Sequence, residues 1–328
     1  MIEQELWRCV ASFYPGATGV SGAAKLSGGA SQETWSFDIR HAGGSLGAIL
    51  RRSPKGYGAA PTRAAGLDAE ARLMQLAHDA GLPSPKVLHV LKPDDDLGTG
   101  FIMIRVEGET IARKILRDEQ FAGARPMLAR QLGRVAAGIH NLPRGELPRL
   151  REMSATKEIG ELEREYRSFN WPRPVFDLAL RWLRDHDPGP SAEVTLVHGD
   201  FRHGNLIIGP DGVRAVLDWE LAHLGDPMED LGWICVNSWR FGEIDKPVGG
   251  FGSRGELFAG YEEGGRTADP ARVKFWEVMG TLRWGVMCCG MMRRFRIGPD
   301  HSMERAMIGR RASETEIDLL RLLAPREN

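Results

Sequence analysis

Residues 196–205 read LVHGDFRHGN, and AVLDWE follows at residues 215–220. Each segment starts with a short aliphatic run, which predicts a buried strand, and each run ends in polar side chains. The first run leads into His198, Asp200 and Asn205, and the second ends in the sequence Asp-Trp-Glu. The order His, Asp, Asn and then a second Asp is that of a phosphoryl-transfer site.

The residues between the two motifs predict a hairpin. Residues 206–208 and 213–217 are largely apolar, and the Gly-Pro-Asp-Gly sequence between them is typical of a turn. Such a hairpin brings Asn205 and Asp218 to the same end. Mg²⁺ takes oxygen ligands and seldom has an all-protein cage. We therefore predict that Asn205 and Asp218 hold Mg²⁺, with nucleotide phosphates as further ligands.

Asp200 is the candidate catalytic residue. Phosphoryl transfer needs a carboxylate near the attacking hydroxyl and groups that neutralise phosphate charge. His198, Asp200 and Asn205 reproduce the H-x-D-x-x-x-x-N spacing of the protein-kinase catalytic loop. Taken singly, a strand-ending Asp often caps a helix or forms a turn. The joint order favours catalysis, with Asp200 accepting or orienting the proton of an acceptor hydroxyl.

With Asp-Trp-Glu in place of the kinase Asp-Phe-Gly, the segment resembles the aminoglycoside phosphotransferase-like (APH) family of small-molecule kinases. Residues 217–233, LDWELAHLGDPMEDLGW, resemble the subgroup that includes kinase domains fused to acyl-CoA dehydrogenases. The resemblance extends from about Gly28 to about Arg294. It implies an α+β, protein-kinase-like fold of two lobes, with ATP as the phosphate donor and Mg²⁺ as the metal.

The chain length of 328 residues also predicts two lobes, because single cores rarely grow beyond about 250–300 residues. We expect a nucleotide-binding lobe over residues 1–107, with a five-stranded antiparallel sheet and one crossing helix. A mostly helical lobe for catalysis and acceptor binding follows over residues 108–328. Apolar spacing predicts helices over residues 2–13, 67–80 and 119–142, two more within 151–187, and several over 270–323.

Two segments of the first lobe are candidates for nucleotide contact. The turn that holds Gly28, Gly29 and Ser31 lies between two predicted strands. The family resemblance implies that it closes over the phosphates, where glycines let backbone amides approach anionic oxygens. A plain hairpin turn is the alternative. The resemblance also implies a hinge at which backbone groups from Met103 to Val106 contact the adenine edge.

Arg51 lies where protein kinases carry the lysine that holds the α- and β-phosphates. An arginine can bind phosphate through two parallel hydrogen bonds, so the substitution is compatible with ATP. Neighbours on a strand face opposite ways, and the sequence leaves open whether Arg51 or Arg52 points inward. Glu70, early in the next predicted helix, is the candidate partner of this arginine. An acid favoured there by the helix dipole is the alternative.

Composition limits the partners of the chain. The net charge of −1 provides no global field for nucleic acid or an anionic membrane. The four cysteines have no C-x-x-C spacing and suit buried thiols in a reducing compartment. No signal pattern and no run of about 18 apolar residues is present. We expect a cytoplasmic protein that binds small molecules, and its oligomeric state is open.

The sequence does not identify the phosphate acceptor. Arg283, Arg293, Arg294 and Arg296 lie in the segment expected near the acceptor site. If they face it, they favour an acceptor that carries a carboxylate or phosphate over a polycation. Arginines on a solvated helix face are an equal alternative. Aminoglycosides, choline-like alcohols, sugars, and hydroxy acids or their CoA esters all stay open, and the last class is slightly favoured.

Two other functions compete with this interpretation. A protein kinase would carry Asp-Phe-Gly and an Ala-Pro-Glu segment after a phosphosite loop, and the chain lacks both. A catalytically silent nucleotide-binding scaffold is supported only by the arginine at the lysine position. Asp226 and Asp230 are expected to be structural, with Asp226 bracing the catalytic loop and Asp230 capping or hydrogen-bonding within a helix.

Overall fold

A five-stranded sheet dominates the N-terminal lobe, in a computed structural model that describes residues 2–26, 32–54, 63–298 and 301–324. The strands are β1 (Ala17–Leu26), β2 (Glu33–His41), β3 (Gly44–Ser53), β4 (Val87–Val90) and β5 (Thr99–Ile104). They lie in the order β1-β2-β3-β5-β4, and every neighbouring pair is antiparallel. Helix α1 (Ile2–Phe13) precedes the sheet, and helix α2 (Leu67–Asp79) connects β3 to β4. The predicted architecture of this lobe is confirmed.

Strand β3 separates two hydrophobic clusters, because alternate side chains of a strand face opposite sides of the sheet. Leu50 belongs to the cluster that contains the buried side chains of α1. Ile49 belongs to the cluster that contains the buried side chains of α2. Arg51 therefore continues the side of Ile49, towards α2, and Arg52 continues the side of Leu50.

Helices make up most of the C-terminal lobe. They are α3 (Ala112–Arg117), α4 (Arg125–His140), α5 (Ala155–Ser168), α6 (Pro174–Asp185), α7 (Met228–Trp233), α8 (Arg254–Glu263), α9 (Pro270–Ile297), α10 (Met303–Arg310) and α11 (Ala312–Leu323). The helix predicted over 119–142 begins later than expected, because Pro126 occupies its first turn, where a missing backbone N–H costs nothing. Within the described ranges, no helix is long and apolar enough to cross a membrane.

Two small antiparallel sheets carry the motifs of the C-terminal lobe. Strand β6 (Thr195–Val197) pairs with β9 (His223–Gly225), and β7 (Leu206–Gly209) pairs with β8 (Gly212–Val216). The predicted hairpin of β7 and β8 is confirmed. Leu206 lies opposite Val216, so Asn205 and Asp218 flank the same end of the hairpin.

Backbone contacts mark where the chain passes between the lobes. The N–H of Arg105 donates to the carbonyl of Gly47 in β3 over 2.9 Å. Glu109 instead exchanges two hydrogen bonds with Ile208 of β7, at 2.9 and 3.0 Å. These contacts support a lobe boundary between residues 107 and 108, which stays a proposal.

Candidate active site

A buried carboxylate holds the start of the catalytic loop, residues 198–205. Asp230 accepts hydrogen bonds from the backbone N–H groups of His198 (2.8 Å) and Gly199 (3.0 Å). Its Oδ2 also lies 3.0 Å from Nε2 of His140. Burial alone would raise the pKa of Asp230, but the contact with His140 and the loop N–H group lower it. The ionised carboxylate of Asp230 therefore holds the start of the catalytic loop in place through these hydrogen bonds.

This arrangement exchanges the roles expected for the two acids near α7. Asp230, and not Asp226, braces the catalytic loop, because the first turn of α7 lies beneath the end of β6. Asp226 accepts hydrogen bonds from Arg272 (2.6 Å) and Trp276 (3.0 Å), both on α9. Asp226 therefore joins α9 to the turn before α7. Both acids are structural, as expected.

Gly199 explains why the loop has no arginine at this position, unlike the protein-kinase loop. Its backbone has φ +80°, a conformation that side chains disfavour. A Cβ atom here would lie 2.5 Å from the carbonyl oxygen of Leu221 and 3.2 Å from the ring of His223. The close approach of the loop to the chain after β8 therefore requires glycine.

Asp200 is oriented by three side chains. Its Oδ1 accepts hydrogen bonds from the indole N–H of Trp233 (2.8 Å) and from Nε of Arg202 (2.9 Å). Its Oδ2 accepts a hydrogen bond from Nδ2 of Asn205 at 2.6 Å. The residue is 8% exposed, so the carboxylate is held in one position at the surface of the loop. The sequence interpretation missed Trp233 and Arg202, which have no motif of their own.

Asn205 and Asp218 lie together and keep free oxygen atoms. Leu217, before Asp218, donates its backbone N–H to the carbonyl of Asn205 over 2.8 Å. The amide nitrogen of Asn205 faces Asp200, and no residue of the described ranges donates to Asn205 Oδ1 or to Asp218 Oδ2. One amide oxygen and one carboxylate oxygen are suitable ligands for Mg²⁺. The donor set therefore fits the predicted metal.

Arg51 lies at the centre of an ion cluster that joins the two lobes. Its Nη2 donates to Asp218 Oδ1 (2.8 Å) and to Glu220 Oε2 (3.3 Å), and its Nε lies 3.2 Å from Glu70 Oε1. The Glu70 side chain is 2% exposed. Burial raises the pKa of Glu70 to about 8, although Arg51 acts in the opposite direction. The predicted strand arginine and helix glutamate are thus brought together.

Arg52 faces away from this cluster, which settles its orientation. Its guanidinium donates to Glu33 Oε2 at 3.0 and 3.1 Å, and to the carbonyl of Leu97 at 3.3 Å. Arg51 is the arginine that lines the cleft between the lobes. The alternation of β3 accounts for the difference.

Glu220 is an acid of the site that the motif comparison treated only as a replacement for glycine. It shares Nη2 of Arg51 with Asp218, so the two carboxylates lie on the same side of the guanidinium. Burial and the negative charge of Asp218 raise the pKa of Glu220. Only its place in the folded chain, two residues after Asp218 in a tight turn, reveals this role.

A cavity of about 370 Å³ opens between the lobes beside the ion cluster. Met103 and Val106 both line it. Met103 lies within the sheet, opposite Ile49 and Val87. Val106 lies beyond the end of β5, and among the described residues neither its backbone N–H nor its carbonyl has a partner. The predicted phosphate turn with Gly28, Gly29 and Ser31 lies outside the described residues.

The C-terminal arginines do not line this cleft. Arg283 is buried, donates to Glu229 over 2.8 Å and to the carbonyl of Gly199 over 3.2 Å, and lies 4.0 Å over the ring of Trp233. Arg283 therefore stabilises the catalytic loop through the carbonyl of Gly199 and the ring of Trp233. Arg296 lies over Trp171, at the C-terminal end of α9.

His203, within the catalytic loop, makes the stability of the protein depend on pH. Its Nδ1 donates to the carbonyl of Gly249 over 2.7 Å, and burial lowers its pKa from 6.5 to about 4. The unfolded chain thus binds more protons, and stability present above pH 6.5 is lost as the pH falls towards 4. Between pH 7 and pH 5, the unfolding free energy of the native protein should fall by about 2 kcal/mol more than that of a His203→Asn variant, as measured by urea unfolding.

The control is His186→Asn, because His186 is exposed. Its unfolding free energy should follow the native pH dependence. Parallel curves for the native protein and His203→Asn would contradict the assignment.

The chain is also similar in sequence to known proteins. The sequence model of the phosphotransferase enzyme family, APH, matches residues 22–276. Mouse acyl-CoA dehydrogenase family member 10 is 30% identical over 208 residues, which cover 57% of this chain and 18% of that protein. The chain therefore spans less than a fifth of the length of that relative. The predicted resemblance to this group is confirmed.

Solved structures share the fold. A Ralstonia eutropha protein described as a putative aminoglycoside phosphotransferase superposes with a TM-score of 0.74 at 22% identity, over 97% of both chains. Aminoglycoside phosphotransferase APH(4)-Ia, in a ternary complex with AMP-PNP and hygromycin B, superposes with a TM-score of 0.66 at 18% identity, over 99% of both chains. The predicted protein-kinase-like fold is confirmed, and the chain belongs to the APH phosphotransferase enzyme family.

Proposed function

We propose that this chain is an ATP- and Mg²⁺-dependent kinase that transfers the γ-phosphate to a hydroxyl group of a small molecule. The observation that carries this proposal is the meeting, at one end of the cleft, of Asp200, Asn205, Asp218 and Arg51. They supply the carboxylate, the oxygen ligands and the cation that phosphoryl transfer requires. The AMP-PNP complex of the related fold supports the choice of nucleotide.

Asp200 orients the acceptor hydroxyl and takes its proton as the bond to phosphorus forms. Its Oδ1 already accepts two hydrogen bonds and its Oδ2 accepts one, so Oδ2 keeps more capacity for the acceptor proton. Mg²⁺, held by Asn205 Oδ1 and Asp218 Oδ2, would neutralise phosphate charge. We assign the remaining nucleotide contacts to Arg51 backed by Glu70, to Val106 and Met103 beside the base, and to the turn with Gly28, Gly29 and Ser31.

For the acceptor, we propose a hydroxy acid or its CoA ester ahead of an aminoglycoside. Arg202 donates to Oδ1 of Asp200 and places a cation on the carboxylate whose other oxygen, Oδ2, receives the acceptor proton. A cation at this position repels a polycationic acceptor and attracts an anionic one. The relationship to acyl-CoA dehydrogenase family member 10 supports the same choice. The hygromycin B complex of the related fold supports the second choice.

The test is ATP consumption with Mg²⁺ against a panel of aminoglycosides, amino alcohols, sugars, and hydroxy acids with their CoA esters. Turnover with one class establishes the kinase and identifies its acceptor. Binding of AMP-PNP with no turnover on any class would instead favour the silent scaffold.

Replacing Glu220 with Gln should raise the Mg²⁺ concentration for half-maximal activity about threefold to tenfold. The substitution removes a negative charge that shares Arg51 with the proposed metal ligand Asp218. A charge a few ångströms from a cation in a solvated site contributes about 1 kcal/mol. The measurement is a Mg²⁺ titration of the rate at saturating ATP, together with Mn²⁺ binding followed by electron paramagnetic resonance.

The matched control is Glu107→Gln. Glu107 lines the same cleft, but its side chain is 77% exposed and pairs with Arg105, away from the ion cluster. Its Mg²⁺ dependence should equal that of the native protein. If the Mg²⁺ dependence of Glu220→Gln also equals that of the native protein, this carboxylate does not act on the metal.

A further inference from the structure

A second cavity, of about 710 Å³, lies away from the cleft. It forms where the C-terminal half of α9 passes the connection between α5 and α6 and the helices α10 and α11, and it shares no lining residue with the cleft. Its size suits a drug-sized or nucleotide-sized ligand. We call it the basic groove, and its main lining residues are Trp171, Arg173, Met292, Arg296, Arg310 and Glu316.

The basic groove carries an excess of positive charge. Among the residues that the structure describes, three arginines and one acid line it, which leaves two positive charges. Arg173 pairs with Glu316 at 2.6 Å. For Arg296 and Arg310, no carboxylate of the described residues lies within 4.0 Å. Unpaired guanidinium groups that converge on one cavity favour an anionic ligand, and phosphate most of all, because it accepts two parallel hydrogen bonds.

One donor of this groove is buried without a partner. Nε of Arg173 is inaccessible and has no acceptor among the residues that the structure describes. Its neighbour Nη1 is already engaged by Glu316. A ligand in the groove does not reach this inaccessible atom, so the guanidinium groups available to a ligand are those of Arg296 and Arg310.

The groove also provides a flat surface. The guanidinium of Arg296 lies 4.6 Å over the ring of Trp171. Guanidinium groups and indole rings both stack well on planar heteroaromatic rings. The combination of two unpaired arginines with a tryptophan suits a ligand that carries phosphate groups and a planar base.

We propose that the basic groove binds the phosphate-bearing adenosine part of a ligand. Two sources share this chemistry: coenzyme A, through its 3′-phosphate ADP portion, and a free adenine nucleotide. With coenzyme A as the source, the groove holds the distal part of an acyl thioester. With a free nucleotide, it is a second nucleotide site apart from the cleft. With coenzyme A as the source, the inference rests on the CoA-ester acceptor proposed above; with a free nucleotide, it does not.

The test is calorimetric titration of the 328-residue chain with CoA, ATP and pantetheine, beside an Arg296→Gln/Arg310→Gln double variant. If CoA is the source, it binds at one site, pantetheine does not, and the double variant weakens CoA binding at least tenfold. If free nucleotide is the source, ATP shows two sites and the double variant loses one of them. In either case, binding weakens as the salt concentration rises.

The matched control is Arg181→Gln, whose side chain is 83% exposed on α6 outside the groove. It should bind like the native chain. The proposal is overturned if the double variant gives the same titrations as the native chain. It is also overturned if AMP-PNP bound in the cleft completely displaces CoA from both the double variant and the native chain. Equal competition by inorganic tripolyphosphate would refute the aromatic part of the proposal. Because binding is measured, an inactive enzyme does not affect the result.

Discussion

An Asp200→Asn variant should lose about 10²- to 10⁴-fold in kcat and bind AMP-PNP with a dissociation constant within about twofold of the native value. The amide keeps an oxygen for the hydrogen bonds from Trp233 and Arg202, so the loop stays in place. It cannot accept the proton of the acceptor hydroxyl. The loss should therefore fall on the chemical step, measured in single-turnover experiments, and not on nucleotide affinity.

The control for Asp200→Asn is Asp211→Asn, an exposed acid of the β7–β8 turn that pairs with Arg214. Its kcat and nucleotide affinity should both be native. Nδ2 of Asn205 donates to Asp200, and repulsion between two amides is the main structural risk in the catalytic variant. If the free energy of urea unfolding of Asp200→Asn equals that of the native protein, that explanation is excluded. A loss of nucleotide affinity equal to the loss in kcat would count against the assigned role.

An Arg51→Gln variant should lose about 1–3 kcal/mol of unfolding free energy, because the polar contacts of a buried guanidinium are lost. Glu70 is almost completely buried, and Asp218 and Glu220 lose the same cation. The variant should also bind ATP at least tenfold more weakly, since the cation next to the phosphates is gone. Urea unfolding and calorimetric titration with AMP-PNP measure the two effects.

The neighbouring position provides the control. Arg52→Gln removes an arginine from the opposite face of β3, where Glu33 keeps a hydrogen bond from Lys25 of 2.6 Å. It should cost about 1–3 kcal/mol of unfolding free energy through its lost hydrogen bonds and leave the nucleotide affinity equal to that of the native protein. A double variant, Arg51→Gln with Glu70→Gln, should be about as stable as Arg51→Gln at pH 7, because the pKa of Glu70 of about 8 leaves this carboxyl mostly neutral. Equal effects on nucleotide affinity at positions 51 and 52 would refute the assignment of Arg51.

Much of the site could be predicted because its signals are local along the chain. Asn205 and Asp218 flank one hairpin, and a turn sequence together with two apolar runs is enough to bring them together. The helices and the five-stranded sheet follow from apolar periodicity and from the resemblance. The start of α4 was wrong because the helical spacing was extended across Pro126, which favours a helix start.

The remaining contacts depend on tertiary packing, which the spacing of residues does not encode. Ile49 and Leu50 are both apolar, so the pattern of β3 gave no sign of which face α2 would cover, and hence which arginine would face the cleft. Asp226 and Asp230 are both acids close to α7, and only the position of the helix beneath the loop distinguishes them. Trp233 lies 33 residues beyond Asp200, and its hydrogen bond with Asp200 exists only in the folded chain.

Arg51 and a metal ion would both bind the carboxylate of Asp218, and this shared partner has a thermodynamic consequence. In the structure, the guanidinium occupies Oδ1 of Asp218. A cation held by Asp218 would weaken that contact and leave the guanidinium available to phosphate. Linkage then requires reciprocity: metal and nucleotide must each increase the affinity of the other by one common factor. That factor should fall towards one in Arg51→Gln, which makes the coupling measurable from two binding curves.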